Sequence, residues 1–216
     1  MGGVKKEFLP LQEKPLTVLG AALSAFASCA RIGPIVITVP PDAEEKARAS
    51  LPPELCSDEL LFAPGGSTRR ASVHNALSLL EPYHPSHVLI HDGARPWIKP
   101  ELIEKIIDAA IKYKAVIPVR PLVETPKELT NENGGGEPAF IKRHLKRAEL
   151  CSAQTPQGFE FPEILKAHGK AAEREEKENL EYTDDAEVWG EFIGQVAVIP
   201  GDPENRKITY LEDVKC

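Results

Sequence analysis

Residues 87–119 read HVLIHDGARPWIKPELIEKIIDAAIKYKAVIPV, and this stretch decides the fold class. His87–His91 is a short aliphatic run of strand character. Within Glu101–Ile111 the apolar positions Leu102, Ile103, Ile106, Ile107 and Ala110 keep the three-and-four spacing of a helix with one buried face. At Ala115–Val119 the run AVIPV returns to strand character. Strand, helix, strand is the crossover unit of a parallel sheet.

The same alternation extends both ways. Upstream lie strand candidates at Ile35–Val39 and Leu60–Ala63, and helix-patterned stretches at Leu16–Ala30, Ala43–Ala49 and Thr68–Leu80. Downstream come a helical stretch at Pro162–Lys170 and a strand candidate at Gln195–Ile199. The pattern predicts an α/β fold, a mostly parallel sheet with helices on both faces. Ligands of such sheets bind beyond the carboxyl ends of the strands, so function is read from the residues that follow each strand.

The chain has 216 residues, with 33 Asp+Glu against 26 Lys+Arg and a net charge of −7. That length suits one domain with a core that needs no disulfide or metal staple. A hydrophobic content of 42% and a charged content of 27% exclude collagen-like, disordered and disulfide-scaffold classes. An acidic chain is a poor general binder of nucleic acid, because phosphate neutralisation drives that binding. The basic residues nevertheless cluster, at Lys5-Lys6, Arg69-Arg70, Lys142-Arg143 with Lys146-Arg147, and Arg206-Lys207. Small basic spots suit a small anionic ligand better than a polymer, if they converge. The four cysteines, Cys29, Cys56, Cys151 and Cys216, have no zinc-ligand spacing, and Cys29 and Cys151 are expected to be buried. No apolar run approaches the ~18–20 residues that cross a bilayer, and MGGVKKEFLP has no signal-peptide core. The expectation is a cytoplasmic protein that engages neither membrane nor nucleic acid.

Two strand ends carry chemistry. After Leu60–Ala63 comes PGGSTRRAS, residues 64–72. Gly65 and Gly66 let the backbone approach a ligand, and Ser67 or Thr68 can cap the next helix. Arg69 and Arg70 beside that helix N-terminus make an anion or nucleotide site, although an ordinary glycine-rich turn reads equally well. After His87–His91, Asp92, Gly93 and Arg95 can hold a cation and a phosphate together, or Asp92 and Arg95 can pair only with each other.

The segment Glu124–Gln157 breaks the alternation. Asn131–Gly136, NENGGG, is a turn. Its polar flanks, one ending in Glu124-Thr125 and one running Ala139–Leu150, predict a hairpin that lies free on the surface or packs on a partner chain. In Ala171–Glu191 the stretch AAEREEKENLE reads as a solvated helix face or loop, and Thr183-Asp184-Asp185-Ala186 as a capped helix start rather than a metal site. Gly201–Thr209 follows a strand and precedes a closing helix that begins near Glu212 and Asp213.

Taken in order, KKEFLPL, GGSTRRASVHNAL, HDGARPWI, PVRPLVETPKE, KRAELCSAQTPQGF, TDDAEV and ENRKIT resemble the 2-C-methyl-D-erythritol 4-phosphate cytidylyltransferase family, from Lys5 to the C-terminus. Ribitol-5-phosphate cytidylyltransferases share much of this pattern. The resemblance implies one Rossmann-like nucleotidyltransferase domain over residues 1–216. It also implies a homodimer held by an arm at about residues 124–150, and transfer of CMP from CTP to a polyol phosphate with Mg²⁺. Gly65, Gly66, Arg69 and Ser72 would then meet the cytosine end of CTP. Lys6 and Lys207 would lie along the triphosphate, and Asp92 and Arg95 would border sugar and acceptor. Thr125 and Arg147 would reach the partner's acceptor site, which Thr155 also lines. Lys6, Lys207 and Arg147 would be the catalytic cations. Family members open with an apolar strand and a loop of the type A-A-G-x-G-x-R-M-G, whereas this sequence starts at Met1-Gly2-Gly3, at the end of that loop. The expectation is a sheet short of one central strand, from a start site set at an internal Met or from a short protein that dimerises without catalysing.

Overall fold

The structure is a computed structural model that describes residues 6–12, 16–130 and 139–215. Met1-Gly2-Gly3, Lys5, the NENGGG turn and Cys216 lie outside the described residues.

Helix α1, Val18–Ala27, starts where the Thr17 side chain accepts a hydrogen bond from the Gly20 N–H. It leads to β1, Ile35–Val39, then α2, Glu44–Ala49, and β2, Leu60–Pro64. Helix α3, Arg69–Leu80, is capped by Thr68 and feeds β3, His87–Ile90. The sequence-decisive unit follows as α4, Pro100–Tyr113, and β4, Ala115–Pro121. Strands β5, Lys127–Leu129, and β6, Ile141–His144, pair antiparallel as a hairpin. The chain then returns through β7, Cys151–Ala153, and β8, Gln157–Glu160, to α5, Phe161–Glu178. Helix α6, Asp185–Phe192, and β9, Ala197–Pro200, precede a final 3₁₀ turn at Leu211–Lys215, where the sequence predicts a helix.

The α/β architecture holds, and the sheet is mixed. One sheet runs β3-β8-β4-β7 with β9 on β4; β4 and β9 are parallel, whereas β7 and β8 pair antiparallel to their neighbours. These two strands come from AELCSAQTPQGF, where the sequence shows no strand signal, and they lower the share of parallel pairing. Strands β1 and β2 form a separate parallel pair. Among the described residues the expected sheet is therefore in two pieces.

Alternate residues of the strands enter two helical layers. Val36, Val88, Ile90 and Ala115 pack with α3, α5 and α6 around Phe159, Ile164 and Trp189. Ile35, Leu89 and Val116 pack on the other face with Phe26 of α1 and Ile103 and Ile106 of α4. Strand periodicity divides one sequence between two cores. Cys29 is buried as expected, but Cys151 is exposed, because β7 lies at the end of the sheet. Among the described residues no helix is long and apolar enough to cross a membrane.

Phe159 is fully buried and stacks on Trp189 at 5.6 Å between ring centroids. Phe159→Ala should lower the unfolding free energy by about 3–5 kcal/mol. Urea denaturation would show it as a lower midpoint with an unchanged slope, and a loss under about 1 kcal/mol would mean that the two layers do not close over this ring.

Candidate functional site

The loops after β2, β3 and β9 converge at the carboxyl ends of the strands. The Gly65 N–H donates to the Val39 carbonyl at 2.7 Å. The Gly66 N–H donates to Ser72 Oγ, whose hydroxyl donates to the Thr68 carbonyl. A Cβ on Gly66 would stand 2.5 Å from the Ala71 Cβ, so this tight return onto α3 requires glycine. Ser72 therefore shapes the loop from within. Arg69 points from the head of α3 towards the loop after β3, and Arg70 turns away to pair with Glu175 on α5.

Asp92 is the centre of the cluster. Its carboxylate lies 3.0 Å from Lys207 Nζ, 3.5 Å from Arg95 Nε and 3.7 Å from Arg69 Nε. Burial works to raise its pKa, but Lys207, Arg69 and Arg95 outweigh that and hold it below the ordinary carboxylate value. Arg69 also donates to Asp185 Oδ2 at 2.7 Å, and its pKa is raised because Asp185 and Asp92 overcome the cost of burial. Asp185 is buried, and His168 Nε2 stands 3.2 Å from its other oxygen without hydrogen-bond alignment. Burial opposes charge on Asp185, yet His168 and Arg69 keep its pKa depressed. Asp184 caps α6 as predicted; its neighbour Asp185 fixes Arg69, which the sequence does not reveal.

Backbone and amide groups lock these loops together. Asp92 N–H donates to Thr155 Oγ1, and Thr155 Oγ1 lies 3.0 Å from His91 Nδ1. His91 Nε2 lies 3.3 Å from the Arg95 carbonyl, which can only accept, so Nε2 carries the proton and Nδ1 accepts from the Thr155 hydroxyl. Although His91 as a residue is only partly buried, its ring abuts Phe26 and both nitrogens are engaged. Loss of hydration pushes its pKa down to about 4, so the ring is neutral. Asn205 is fully buried; its side-chain amide donates to the Thr155 carbonyl, while its backbone carbonyl accepts from Arg95 Nη1 and Gln154 Nε2. Ile208 N–H donates to the Ala94 carbonyl. Loops from three distant parts of the chain thus form one rim.

The structure brings together Gly65, Gly66, Arg69, Ser72, Asp92, Arg95, Thr155 and Lys207. Lys6 Nζ reaches the Thr209 carbonyl at 3.4 Å, two residues beyond Lys207. Thr125 and Arg147 are on the arm: Thr125 is exposed, and Arg147 donates to the Val123 carbonyl at 2.6 Å. Among the described residues, no hydrogen bond or ion pair joins either to the Asp92 cluster. Of the four basic spots, Arg69 and Lys207 meet at Asp92, and Lys6 lies beside the Lys207 loop. Lys142 and Arg143 instead pair with Glu128 across the hairpin, and Lys146 pairs with Glu149.

No group of three or more His, Cys, Asp or Glu among the described residues could hold a metal ion. Three cations already surround the Asp92 carboxylate. These residues do not fit a protein-held Mg²⁺.

The neutral His91 ring makes stability depend on pH. The ring is neutral in the folded protein but takes up a proton near its ordinary pKa of 6.5 once unfolded. Its contribution is complete above pH 6.5 and is lost as pH falls towards about 4. Unfolding free energy should drop across that window, and His91→Asn should flatten the drop; an identical profile would remove His91 as its source.

The family model for IspD, 2-C-methyl-D-erythritol 4-phosphate cytidylyltransferase, matches residues 1–216. The chain is 36% identical to the bifunctional enzyme IspD/IspF of Solidesulfovibrio magneticus, over 99% of this chain and 51% of that protein. It thus spans about half the length of such bifunctional relatives. It is 33% identical to the 2-C-methyl-D-erythritol 4-phosphate cytidylyltransferase of Acidobacterium capsulatum, over 97% of this chain and 84% of that protein. The crystal structure of the Thermus thermophilus enzyme of that name superposes with a TM-score of 0.75 at 30% identity, covering 98% of this chain and 91% of that one. With the whole length matched and the fold shared, the chain belongs to the IspD family of 2-C-methyl-D-erythritol 4-phosphate cytidylyltransferases.

Proposed function

We propose that this protein transfers CMP from CTP to 2-C-methyl-D-erythritol 4-phosphate, giving CDP-methylerythritol and pyrophosphate for isoprenoid precursor synthesis. The observation that carries the reading is the clustering of Arg69, Arg95 and Lys207 on Asp92, beside the Gly65–Thr68 turn at the head of α3. In the free protein the Asp92 carboxylate keeps three cations in place, and a polyphosphate can recruit them without first gathering them from solvent.

The chemistry asks for little more. A phosphate oxygen of the acceptor is already anionic at neutral pH, so it needs no general base. It forms a bond to the α-phosphorus of CTP as the bond to the bridging oxygen breaks, and the electron pair leaves with pyrophosphate. The protein's task is to bring two polyanions together and to stabilise the departing charge. Lys207 and Lys6 are placed along the triphosphate, and Gly65, Gly66 and Arg69 at the nucleoside. Arg95 borders the acceptor. Thr155 and Ser72 act on the loops themselves, through Asp92 and Gly66. Mg²⁺ enters with the phosphates of CTP, as part of the nucleotide substrate.

Residues 1–216 act as one nucleotidyltransferase domain in the cytoplasm, and residues 124–150 are its dimerisation arm. The arm carries Phe140 at 67% exposure, with Leu129 and Ile141 half open and Val123 at 80% immediately before it, an apolar surface that a second copy would cover. From such a dimer Thr125 and Arg147 reach the acceptor site of the other protomer. A ribitol 5-phosphate acceptor is the second reading, because the shared motifs favour neither polyol. A dimer without catalysis is the third.

Pyrophosphate release with CTP, Mg²⁺ and either polyol phosphate tests the reading. Turnover with methylerythritol phosphate supports it, turnover with ribitol phosphate alone moves the acceptor, and none with either favours the non-catalytic dimer. Lys207→Met should lower kcat/KM by roughly 10²–10³, the scale of a lost transition-state donor. Arg147→Met should raise KM for the acceptor and leave KM for CTP nearly unchanged; equal loss of both would remove Arg147 from the acceptor site. Phe140→Asp should shift sedimentation towards monomer, and an unchanged dimer would reject the arm.

A further inference from the structure

The buried stripe of α5 is Phe161, Ile164, Ala167, His168 and Ala171. Four of these are apolar, and the remaining one sets an imidazole where a helix face packs into its core. His168 is fully buried, so its ring nitrogens are cut off from bulk water, which is costly unless they find partners. Neither nitrogen has a hydrogen-bond partner among the described residues. The same holds for Asp185 Oδ1, which lies 3.2 Å from His168 Nε2. A donor and an acceptor, both buried and both unpaired, thus stand at hydrogen-bond distance, and a turn of the ring joins them.

Asp185 is the charged acceptor that faces this ring. From α3 come Arg70, which can only donate and reaches the His168 backbone carbonyl at 3.4 Å, and His74, whose ring centroid lies 6.4 Å away. Burial first, then His168 and Arg70, lower the His74 pKa, so that ring is neutral at pH 7. On α5 itself, Glu175 is occupied by Arg70 and by the Tyr182 N–H. Asp185 offers its two oxygens to two different helices. Oδ2 accepts from Arg69 of α3 at 2.7 Å, and Oδ1 faces His168 of α5. A carboxylate gripped at one oxygen can swing about its own bond, and one gripped at both cannot. Arg69 in turn stands 3.7 Å from Asp92 and is 30% exposed, so it is the member of this series that opens to the rim.

We propose that His168 is a positioning residue: its Nε2–H donates to Asp185 Oδ1, and the carboxylate so fixed aims Arg69 at the rim. The consequence for turnover rests on the reading that Arg69 meets CTP, whereas the series of contacts does not depend on it. His168 stays in the core and touches no ligand, yet the direction of a guanidinium two contacts away depends on its proton. Such an arrangement gives a buried neutral slot a polar task, and it explains why an imidazole stands among Ile164, Ala167 and Ala171.

Three variants test it. His168→Leu removes the donor and keeps an apolar body in the slot. His168→Gln puts an amide where Nε2 stands, and His168→Asn puts one where Nδ1 stands, away from the Asp185 carboxylate. The first readout needs no ligand: rotation of the Arg69 guanidinium about its Nε–Cζ bond, by nitrogen NMR on the arginine-labelled 216-residue chain. Arg70, next in sequence but held by Glu175, is the internal control. Arg69 should rotate about tenfold faster with Leu and with Asn, the scale of one hydrogen bond, and near its original rate with Gln. Arg70 should keep its rate in all three. In turnover, KM for CTP should rise about tenfold with Leu and Asn while KM for the acceptor holds, and Gln should restore it. Unchanged Arg69 rotation with Leu and Asn would overturn the proposal. So would Gln acting like Leu, which means that the ring only fills space, or equal acceleration of Arg70, which reports a loosened helical layer. A rise in both KM values alike rejects it on the same ground. If the Leu variant does not fold, the comparison of Gln with Asn decides. Absence of turnover in the unaltered protein rejects the CTP reading, and the guanidinium measurement then decides the role of His168 by itself.

Discussion

The carboxylate of Asp92 is where Arg69 from the head of α3, Arg95 from the turn after β3 and Lys207 from the loop after β9 meet. Without an anion between them these cations repel, by about 4 kcal/mol for a pair 4 Å apart at an effective dielectric of about 20. The carboxylate converts that repulsion into a common anchor. It also explains why Arg69 needs a second carboxylate behind it: Asp185, buried against His168, holds the guanidinium from the side away from the rim. Without Asp185, Arg69 would keep only its 3.7 Å contact with Asp92, and without Asp92 both Arg95 and Lys207 would lose this carboxylate.

Side chains can converge only if the loops that carry them are fixed, and here amides do that. Asn205 bridges the segment before β8 to the loop after β9, Gln154 bonds to Asp202 and Asn205, and Gln157 links β8 to Asp184 and the Ala186 N–H. Each is buried, so each lost partner would cost about 1–3 kcal/mol. A Cβ on Gly201 would stand 2.4 Å from Gln154 Oε1, so the glycine admits the amide that pins the Lys207 loop. The precision of the cationic rim therefore depends on buried neutral amides.

These relations explain which parts of the molecule were legible in its sequence. Local devices were: the apolar stripe of α4, the Thr68 cap of α3 and the Asp184 cap of α6 each depend on residues within a turn or two. The glycine turn and the DGARP motif marked the right strand ends, because chain direction alone places those loops at one rim. Strands β7 and β8 were not legible. Gln157 and Gly158 carry no strand propensity, and β8 is extended because β3 and β4 offer it edges on both sides. Nor was the split between Arg69 and Arg70, adjacent in sequence, since their partners Asp185 and Glu175 lie more than a hundred residues on and on different helices.

Net charge is a poor guide to what such a rim can hold. The chain carries −7, yet the described acids are unevenly placed. On α5 and the arm several pair with exposed cations, as Glu178 does with Arg174 and half-buried Glu128 with Lys142 and Arg143. Water and salt screen such pairs, with a Debye length near 8 Å at physiological ionic strength, so they project little field towards the rim. Around Asp92 the balance differs: one carboxylate 15% exposed faces three cations, two of them at most 30% exposed, where screening is weaker. A local excess of positive charge in a partly dehydrated site outweighs a larger negative total spread over wet surface. An acidic protein can therefore present a cationic seat to a polyphosphate, provided that the acids nearest the seat are few, buried and already paired.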